Sequence, residues 1–262
     1  MNQSALTAYL KYQPFPLALL RAIESGLYPV KLKSPSLDIG CGDGFFAKQT
    51  FGDEGIDAGT EIDTKTAASA VSIRAYRNTI VFDGVKLPYR SCAFSTVISN
   101  SVLEHTDNPK DLIKEIGRVT KTGGIFYLTV PTIDFTDCLL GVRIFNKLKL
   151  VSLAKFYGRF MDVVTRQKYY WPLKTWKLVL KSAGFEIVNH STYFGPRPMA
   201  WFDLTHWLSI PSIMTKIIFG RWVLFNSSGF KFKIEELLAE RILRNDPAPH
   251  AFQFFTCRKT SA

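Results

Sequence analysis

Cysteine is scarce and scattered in this chain of 262 residues: Cys41, Cys92, Cys138 and Cys257 are the only four, and none forms a C-x-x-C pair. That usage argues against both a disulfide framework and a zinc site. Long apolar runs are missing too. No stretch reaches the roughly 20 residues of a bilayer span, although 47% of the chain is apolar and Phe numbers 21. Residues 1–12 lack the charged start and apolar centre of a signal peptide, so a cytoplasmic location is expected, at most peripheral on the inner face of a membrane. No internal repeat or low-complexity segment is visible. What the second half lacks is acid. Residues 1–133 carry 14 basic and 13 acidic side chains, whereas residues 134–262 carry 19 and 9, so nearly all of the +11 formal charge lies there. Within residues 143–181 ten basic residues meet one acid, Asp162. Such asymmetry points to a phospholipid surface, a phosphorylated substrate or nucleic acid, or else to a solvated basic face that keeps the chain soluble.

Against these absences stands one glycine-rich stretch, Leu37-Asp38-Ile39-Gly40-Cys41-Gly42-Asp43-Gly44, an apolar strand end running into three alternate glycines. Glycines at that spacing let the backbone turn sharply and leave room for a ligand against main-chain N–H groups. The pattern differs from the dinucleotide fingerprint G-x-G-x-x-G, and a carboxylate two residues before its first glycine is poorly placed for a pyrophosphate. It suits a ligand with an ammonium group, an amino-acid-bearing nucleoside such as S-adenosylmethionine. The plain alternative is a glycine turn between strand and helix.

Around this stretch the chain alternates strand and helix. Strands are expected at residues 36–39, 56–62, 79–82, 94–99 and 125–130, with helices at 45–50, 65–76 and 112–119 between them. This alternation predicts an α/β fold: a Rossmann-like, doubly wound, mostly parallel sheet with its ligand at the carboxyl ends of the strands. Residues 1–34 are expected to be an N-terminal helical cover and residues 35–133 the cofactor-binding core. Residues 134–262 are expected to form a substrate-side half, with helical insertions at 134–181 and 195–250 acting as a lid or membrane-facing cap. That half also carries the last two strands of the same sheet, the final one (251–257) antiparallel. An acid at the end of the second strand, Glu61 or Asp63, stands where ribose hydroxyls are held, although Asp63 also makes a good N-cap for the next helix.

Five pieces in order carry a resemblance: the Leu37 to Gly44 motif, Gly59-Thr60-Glu61-Ile62-Asp63, Phe82-Asp83-Gly84 with Leu87-Pro88, Ser101-Val102-Leu103-Glu104-His105, and Arg118-Val119-Thr120-Lys121-Thr122-Gly123-Gly124. Together they resemble the class I S-adenosylmethionine-dependent methyltransferases, particularly the small-molecule and lipid-modifying branch, over roughly residues 35–133. The resemblance implies that Asp38 and the loop of Gly40, Cys41, Gly42 and Gly44 hold the methionine end of S-adenosylmethionine. It implies that Glu61 takes the ribose hydroxyls, Ile62 packs on adenine, Asp83 beside Gly84 accepts from the adenine amino group, and Ser99 and Asn100 line the methyl donor. Some relatives of the quinone O-methyltransferase type bind a metal through Glu-x-x-Glu-His after the fourth strand. Here Ser101 occupies the first position, so no metal is expected and the Glu104-His105 pair fixes the loop, with His105 as a candidate general base.

Beyond Pro131 the resemblance fades. Residues 134–167 read as a basic amphipathic insertion, and residues 195–225 are heavily apolar with Trp201, Trp207 and Trp222, fit to meet a membrane face or to line a substrate tunnel. An amphipathic helix is expected at residues 230–244. The expected activity is methyl transfer to a small apolar or membrane-derived acceptor, with an anionic membrane surface as a partner. Two alternatives are an RNA methyltransferase using the basic half and a non-catalytic, membrane-attached binding protein. Nucleic acid is disfavoured because Ser99-Asn100-Ser101-Val102 stands where amine-methylating nucleic-acid enzymes often carry an Asn-Pro-Pro-Tyr-like tetrapeptide.

Overall fold

The computed structural model describes residues 3–208 and 248–260. Among them are seven strands: β1 (Ser36–Ile39), β2 (Ile56–Glu61), β3 (Tyr76–Val81), β4 (Phe94–Asn100), β5 (Thr120–Pro131), β6 (Phe185–Tyr193) and β7 (Phe252–Lys259). The helices are α1 (Gln3–Leu10), α2 (Phe15–Ser25), α3 (Phe45–Phe51), α4 (Thr64–Ser72), α5 (Pro109–Val119), α6 (Phe135–Cys138), α7 (Leu140–Lys147), α8 (Val151–Thr165), α9 (Leu173–Ser182) and α10 (Pro196–Leu208). Two compact units result. One is built from Met1–Leu27, Asp134–Val163 and Tyr193–Ala251 in their described parts, the other from Tyr28–Ile133, Val164–Thr192 and Phe252–Ala262.

The second unit carries the sheet, in the order β3-β2-β1-β4-β5-β7-β6. β1 runs parallel to both β2 and β4, β2 to β3, and β4 to β5, whereas β7 runs antiparallel to β5. Strand order therefore reverses at β1 and β4, and a crevice opens beyond their carboxyl ends. Every residue of β1 is buried, as expected of a parallel strand covered on both faces. Alternation along the strands separates the two faces. Leu37, Val97, Phe126, Leu128, Phe255 and Cys257 join the core made with α5 and α9. Their neighbours Tyr127 and Phe254 meet Tyr28 instead, with ring centroids 5.9 and 5.2 Å away, and Tyr28 also packs edge-on against Phe46 and Phe51 of α3.

α5 is formed by its sequence at both ends. Pro109 pre-sets the first turn, Asp111 sits near the positive end of the helix dipole and Arg118 near the negative end. Its buried side chains Leu112, Ile113, Ile116 and Val119 face the core. Gly117 is where α5 approaches the end of α9.

The first unit is helical, and its buried carboxylates are paired. Glu24 is fully buried, with Arg21 Nη1 at 2.5 Å and the Tyr193 hydroxyl donating at 3.1 Å. Asp203 of α10 accepts from Gly141 N at 2.9 Å and from the Tyr157 hydroxyl, which fixes α10 to α7 and α8. Leaving Glu24 without Arg21 would cost several kcal/mol, on the order of a broken buried pair, and each donor lost to the Asp203 carboxylate about 1.5–3 kcal/mol.

Some boundaries differ from those read in the sequence. The N-terminal helical segment ends at Leu27 rather than 34, because Tyr28 belongs to the sheet's aromatic cluster. The first insertion closes near residue 163 rather than 181, since Trp176, Val179 and Leu180 of α9 are core residues of the sheet unit. α4 stops at Ser72 and β3 begins at Tyr76, because Arg74 takes a left-handed φ of 54° and breaks the helix early. β5 begins at Thr120, ahead of the expected Ile125, with a register shift opposite Phe94 and Thr96 that accommodates Gly123 and Gly124. The helix expected at 230–244, Trp222 and most of the apolar 195–225 stretch lie outside the described residues.

A Cβ on Gly117 would stand 2.4 Å from the Ala183 carbonyl oxygen, a backbone atom that cannot swing aside. Gly117→Ala is therefore expected to lower stability by about 1–3 kcal/mol through overpacking, although helix propensity alone would raise it by about 1 kcal/mol. A higher denaturation midpoint in the variant would contradict the packing account.

Candidate functional site

A cavity of about 580 Å³ lies at the crevice, lined by Gly40 after β1, Glu61 and Ile62 at the end of β2, residues 82–85 after β3, and Ser101, Val102 and His105 after β4. The wall is completed by Asp107, Asp111 and Lys168, among others. All of it belongs to the sheet unit.

The glycine loop is held open by its neighbours. Gly40 has a φ of 67° and would drive a Cβ to 2.6 Å from Val102 Cγ1, so a side chain there would collide with the opposite wall. Gly42, with a φ of 57°, meets nothing within 4 Å, and its conformation serves the turn itself. Glu61 pins this loop: one carboxylate oxygen accepts from Gly42 N at 2.8 Å, the other from Ile62 N at 2.8 Å and Asp63 N at 3.3 Å. Cys41 N donates to Thr60 O at 2.9 Å and closes the loop against β2.

Asp38 stands beneath the loop, 4% exposed, and its Oδ2 accepts from the Tyr76 hydroxyl at 2.6 Å. Burial first, then the adjoining Asp38 charge, pushes the Tyr76 hydroxyl well above its ordinary pKa, so it remains a donor. Burial likewise raises the Cys41 thiol, which stays protonated and is no nucleophile. Asp63 is spent on the N-cap of α4, accepting from Thr66 N at 2.7 Å and Thr66 Oγ1 at 2.6 Å. Asp83 Oδ1 accepts from Val85 N at 2.9 Å and Lys86 N at 3.2 Å, bonds that hold its carboxyl below the usual range. Ile62 is 65% exposed, an apolar side chain left bare at the cavity wall.

Of the residues expected to hold a cofactor, Gly40, Glu61, Ile62, Asp83 and Gly84 line the cavity together with His105. Asp38, Cys41, Gly42, Gly44, Ser99 and Asn100 are not among its lining residues. Ser99 is fully buried, and the Asn100 side-chain oxygen accepts from the Tyr28 hydroxyl at 3.0 Å and Thr129 Oγ1 at 2.9 Å. Ser101 and Val102 reach the wall in their place. Ser101 takes a left-handed φ of 55°, held by its N–H to Thr129 Oγ1 at 2.8 Å.

The chain returning from the helical insertion straps this wall. Lys168 N donates to Glu104 O at 3.0 Å, Lys168 Nζ stands 2.5 Å from Asp107 Oδ1, and the Tyr169 hydroxyl donates to Asp107 O at 2.8 Å. His105 Nδ1 lies 2.8 Å from the Arg166 carbonyl oxygen. A carbonyl only accepts, so the proton sits on Nδ1, and the neutral ring presents a lone pair at Nε2. The buried Glu104 carboxylate stands 3.8 Å from that nitrogen. Sequence reading missed Tyr28, Tyr76, Asp107 and Lys168, because each acts across a long separation and none sits in a recognisable motif.

A second network fixes the segment after β3. Arg118 donates through Nε and Nη2 to Glu115, through Nη1 to Tyr89 O at 2.8 Å and through Nη2 to Leu87 O at 3.0 Å, while Glu115 accepts from Leu87 N at 3.0 Å. The hydrogen bond from Arg118 is the main reason the Glu115 carboxyl lies below its ordinary pKa.

Residues 37–128 match the family model described as a methyltransferase domain. An uncharacterized protein of Methanocaldococcus jannaschii is 33% identical over 125 residues, covering 48% of this chain and 55% of that one. An uncharacterized methyltransferase of Mycobacterium leprae is 34% identical over 96 residues, covering 36% and 35%. The chain thus spans little more than half the length of the former and about a third of the latter. Among solved structures, geranyl diphosphate C-methyltransferase from Streptomyces coelicolor is similar with a TM-score of 0.55 at 13% identity, covering 93% of this chain and 79% of that one. A [4+2]-cyclase, SpnF, is similar with a TM-score of 0.56 at 17% identity, covering 94% and 82%. These likenesses establish the fold.

The Glu115 pair ties stability to pH. Its folded carboxyl titrates below its unfolded value of about 4.3, so its contribution is present above that value and is lost as pH falls through the lower folded one. Between about pH 5 and about pH 3 Glu115→Gln is expected to lose less stability than the parent chain, measured as thermal midpoints at each pH. Parallel curves would remove this pair from the account.

Proposed function

We propose that this chain, whose residues 37–128 match a methyltransferase-domain model, is a class I S-adenosylmethionine-dependent methyltransferase that transfers a methyl group to a small apolar or membrane-derived acceptor. The observation that carries the reading is the charge of the cavity wall. Glu61, Asp83, Asp107 and Asp111 line it; Lys168 pairs with Asp107 and Lys114 with Asp111, so the negative charge left to a ligand is that of Glu61 and Asp83. A negative, partly enclosed wall suits a sulfonium and an ammonium and opposes a polyanionic nucleic-acid backbone. The basic residues 143–159, which the nucleic-acid reading would use, belong to the helical unit and do not line this wall.

The residues present fit the cofactor. Gly40 leaves the backbone bare where a Cβ would block the cavity, Ile62 offers an uncovered apolar surface for a flat ring, and Asp83 Oδ2 has no protein partner among the described residues. Glu61 spends three acceptor sites on backbone N–H groups and keeps capacity for a hydroxyl, since a carboxylate offers about four. When bound, S-adenosylmethionine supplies a methyl group already activated by its sulfonium. The protein's share is then to position the acceptor, exclude water and remove a proton where the acceptor carries one. His105 Nε2 is the group for that proton: its tautomer is set by the Arg166 carbonyl, and the buried Glu104 carboxylate nearby favours the imidazolium that forms.

Incubation with methyl-labelled cofactor and either a total lipid extract or total RNA tests the acceptor class. Label in the organic phase is expected, and label in RNA instead would overturn the proposal in favour of the nucleic-acid reading. Titration calorimetry with S-adenosylmethionine separates a binding protein from one that no longer binds. With a hydroxyl acceptor, His105→Gln is expected to lower kcat by about 10²–10⁴ and to remove the acid limb of its pH profile, leaving cofactor affinity unchanged. An unaltered pH profile would leave His105 only its loop-fixing role.

A further inference from the structure

Among the described residues no helix is long and apolar enough to cross a membrane. One helix, however, is apolar on both sides. α8 docks through small side chains: Ala154, Gly158 and Met161 are buried, and a Cβ on Gly158 would fall 2.5 Å from Thr136 Cγ2. At 3.6 residues per turn Leu153, Phe156, Phe160 and Val163 share the other side, and it is bare. Phe156 is 69% exposed and Val163 is 76% exposed. The turn between α7 and α8 continues this surface with exposed Leu148 and Leu150, and Trp207 of α10 stacks on Phe160 at 5.6 Å while remaining 44% exposed. Single exposed apolar residues are ordinary, but a contiguous set of large ones marks a contact surface.

Charge decides what the contact is. Arg143, Lys147, Lys149, Lys155 and Arg159 are all exposed beside the apolar stripe, and the only acid of residues 143–163, Asp162, is part-buried. A second copy docking here would bring five cations onto five cations. A polynucleotide would satisfy the cations and leave the phenylalanines in water. Only an anionic bilayer answers both features, with phosphates for the basic flank and acyl chains for the stripe. We propose that the outer face of α8, with the α7–α8 turn and Trp207, is a docking surface for anionic phospholipid membranes. The helix lies in the plane of the leaflet with Phe156 and Phe160 inserted. This goes beyond the methyl-transfer reading and does not depend on it.

The test is co-sedimentation of the full chain, without methyl donor, with vesicles of phosphatidylcholine alone or mixed with phosphatidylglycerol, at low and high salt. Binding to the anionic vesicles at low salt is expected, with little to the neutral ones. Lys155→Glu combined with Arg159→Glu should lower it about ten-fold or more and abolish its salt dependence. Phe156→Glu should lower binding at both salt concentrations. Because these side chains are exposed, the variants should keep the parent's circular dichroism and S-adenosylmethionine affinity. Brominated acyl chains should quench tryptophan fluorescence, less so in Trp207→Phe. Absence of binding to anionic vesicles would overturn the proposal, as when a segment of this chain outside the described residues covers the face. Binding indifferent to all these substitutions would overturn it too, as would a concentration-dependent dimer, abolished by Phe156→Glu, in a protein that ignores vesicles.

Discussion

Glu61 sits at the end of β2 and reaches across to the backbone N–H of Gly42 while also bonding to Ile62 and Asp63. A loop with positive φ at Gly40, Gly42 and Gly44 has more freedom to lose on ordering than any other composition would give it. Something must hold it, and hydrogen bonds to an ionised group are worth about 1.5–3 kcal/mol each. Glu61 grips the loop at its middle, the Cys41 N–H to Thr60 O bond closes one side, and Asp38 with Tyr76 props it from below. The loop is therefore shaped before any ligand arrives, which reduces the ordering that binding must accomplish. Asp38 is in this light as much a strut as a ligand. Removing its carboxylate would take the 2.6 Å acceptor from the buried Tyr76 hydroxyl and leave it the longer 3.4 Å bond to Cys41 O.

Charge is partitioned between the two units. The cavity in the sheet unit gathers acids from four separate places, the ends of β2 and β3, the segment after β4 and the first turn of α5. The helical unit gathers bases along α7 and α8. Under the proposed readings the two patterns suit opposite partners, a cationic cofactor and an anionic surface.

The sequence made the parallel core legible because its signals are local. Leu37 to Gly44 announces its own strand and turn, and α5 announces itself through Pro109, Asp111 and a run of core-facing Leu and Ile. The basic excess of residues 143–181 was equally plain, since it is arithmetic. What stayed hidden depended on tertiary partners. Nothing local says that Arg74 turns left-handed and shortens α4, or that Tyr28 leaves the N-terminal helices to join Tyr127 and Phe254. Periodicity made residues 134–167 a basic amphipathic insertion, apolar on one side and charged on the other, but did not say which side docks. Packing against Thr136 selects Ala154 and Gly158, where the backbone can come close, and leaves the large apolar side bare. The wall formed by Gly40, Glu61, Ile62, Asp83 and Gly84 thus lies in stretches whose motifs are local. Asp107, Lys168 and Tyr169 do not, for sixty residues separate the strap from the loop it holds.

That strap bears on how one fold serves several activities. A cyclase and a C-methyltransferase resemble this chain almost equally in backbone, so the sheet and glycine loop alone do not decide the reaction. The deciding groups must lie where chains of this fold differ, and here the chain departs after β5 into α6, α7 and α8 and returns through residues 166–169 onto the loop after β4. The return fixes the His105 tautomer through the Arg166 carbonyl and sets Lys168 on Asp107, so the His105 edge of the cavity is shaped by the chain leaving the insertion. Arg166 adopts a left-handed φ of 56° to do it, a conformation a non-glycine residue holds only where its surroundings insist. Changes in residues 166–169 can then alter this edge of the cavity while Glu61, Asp38 and the glycine loop stay anchored on β1 and β2.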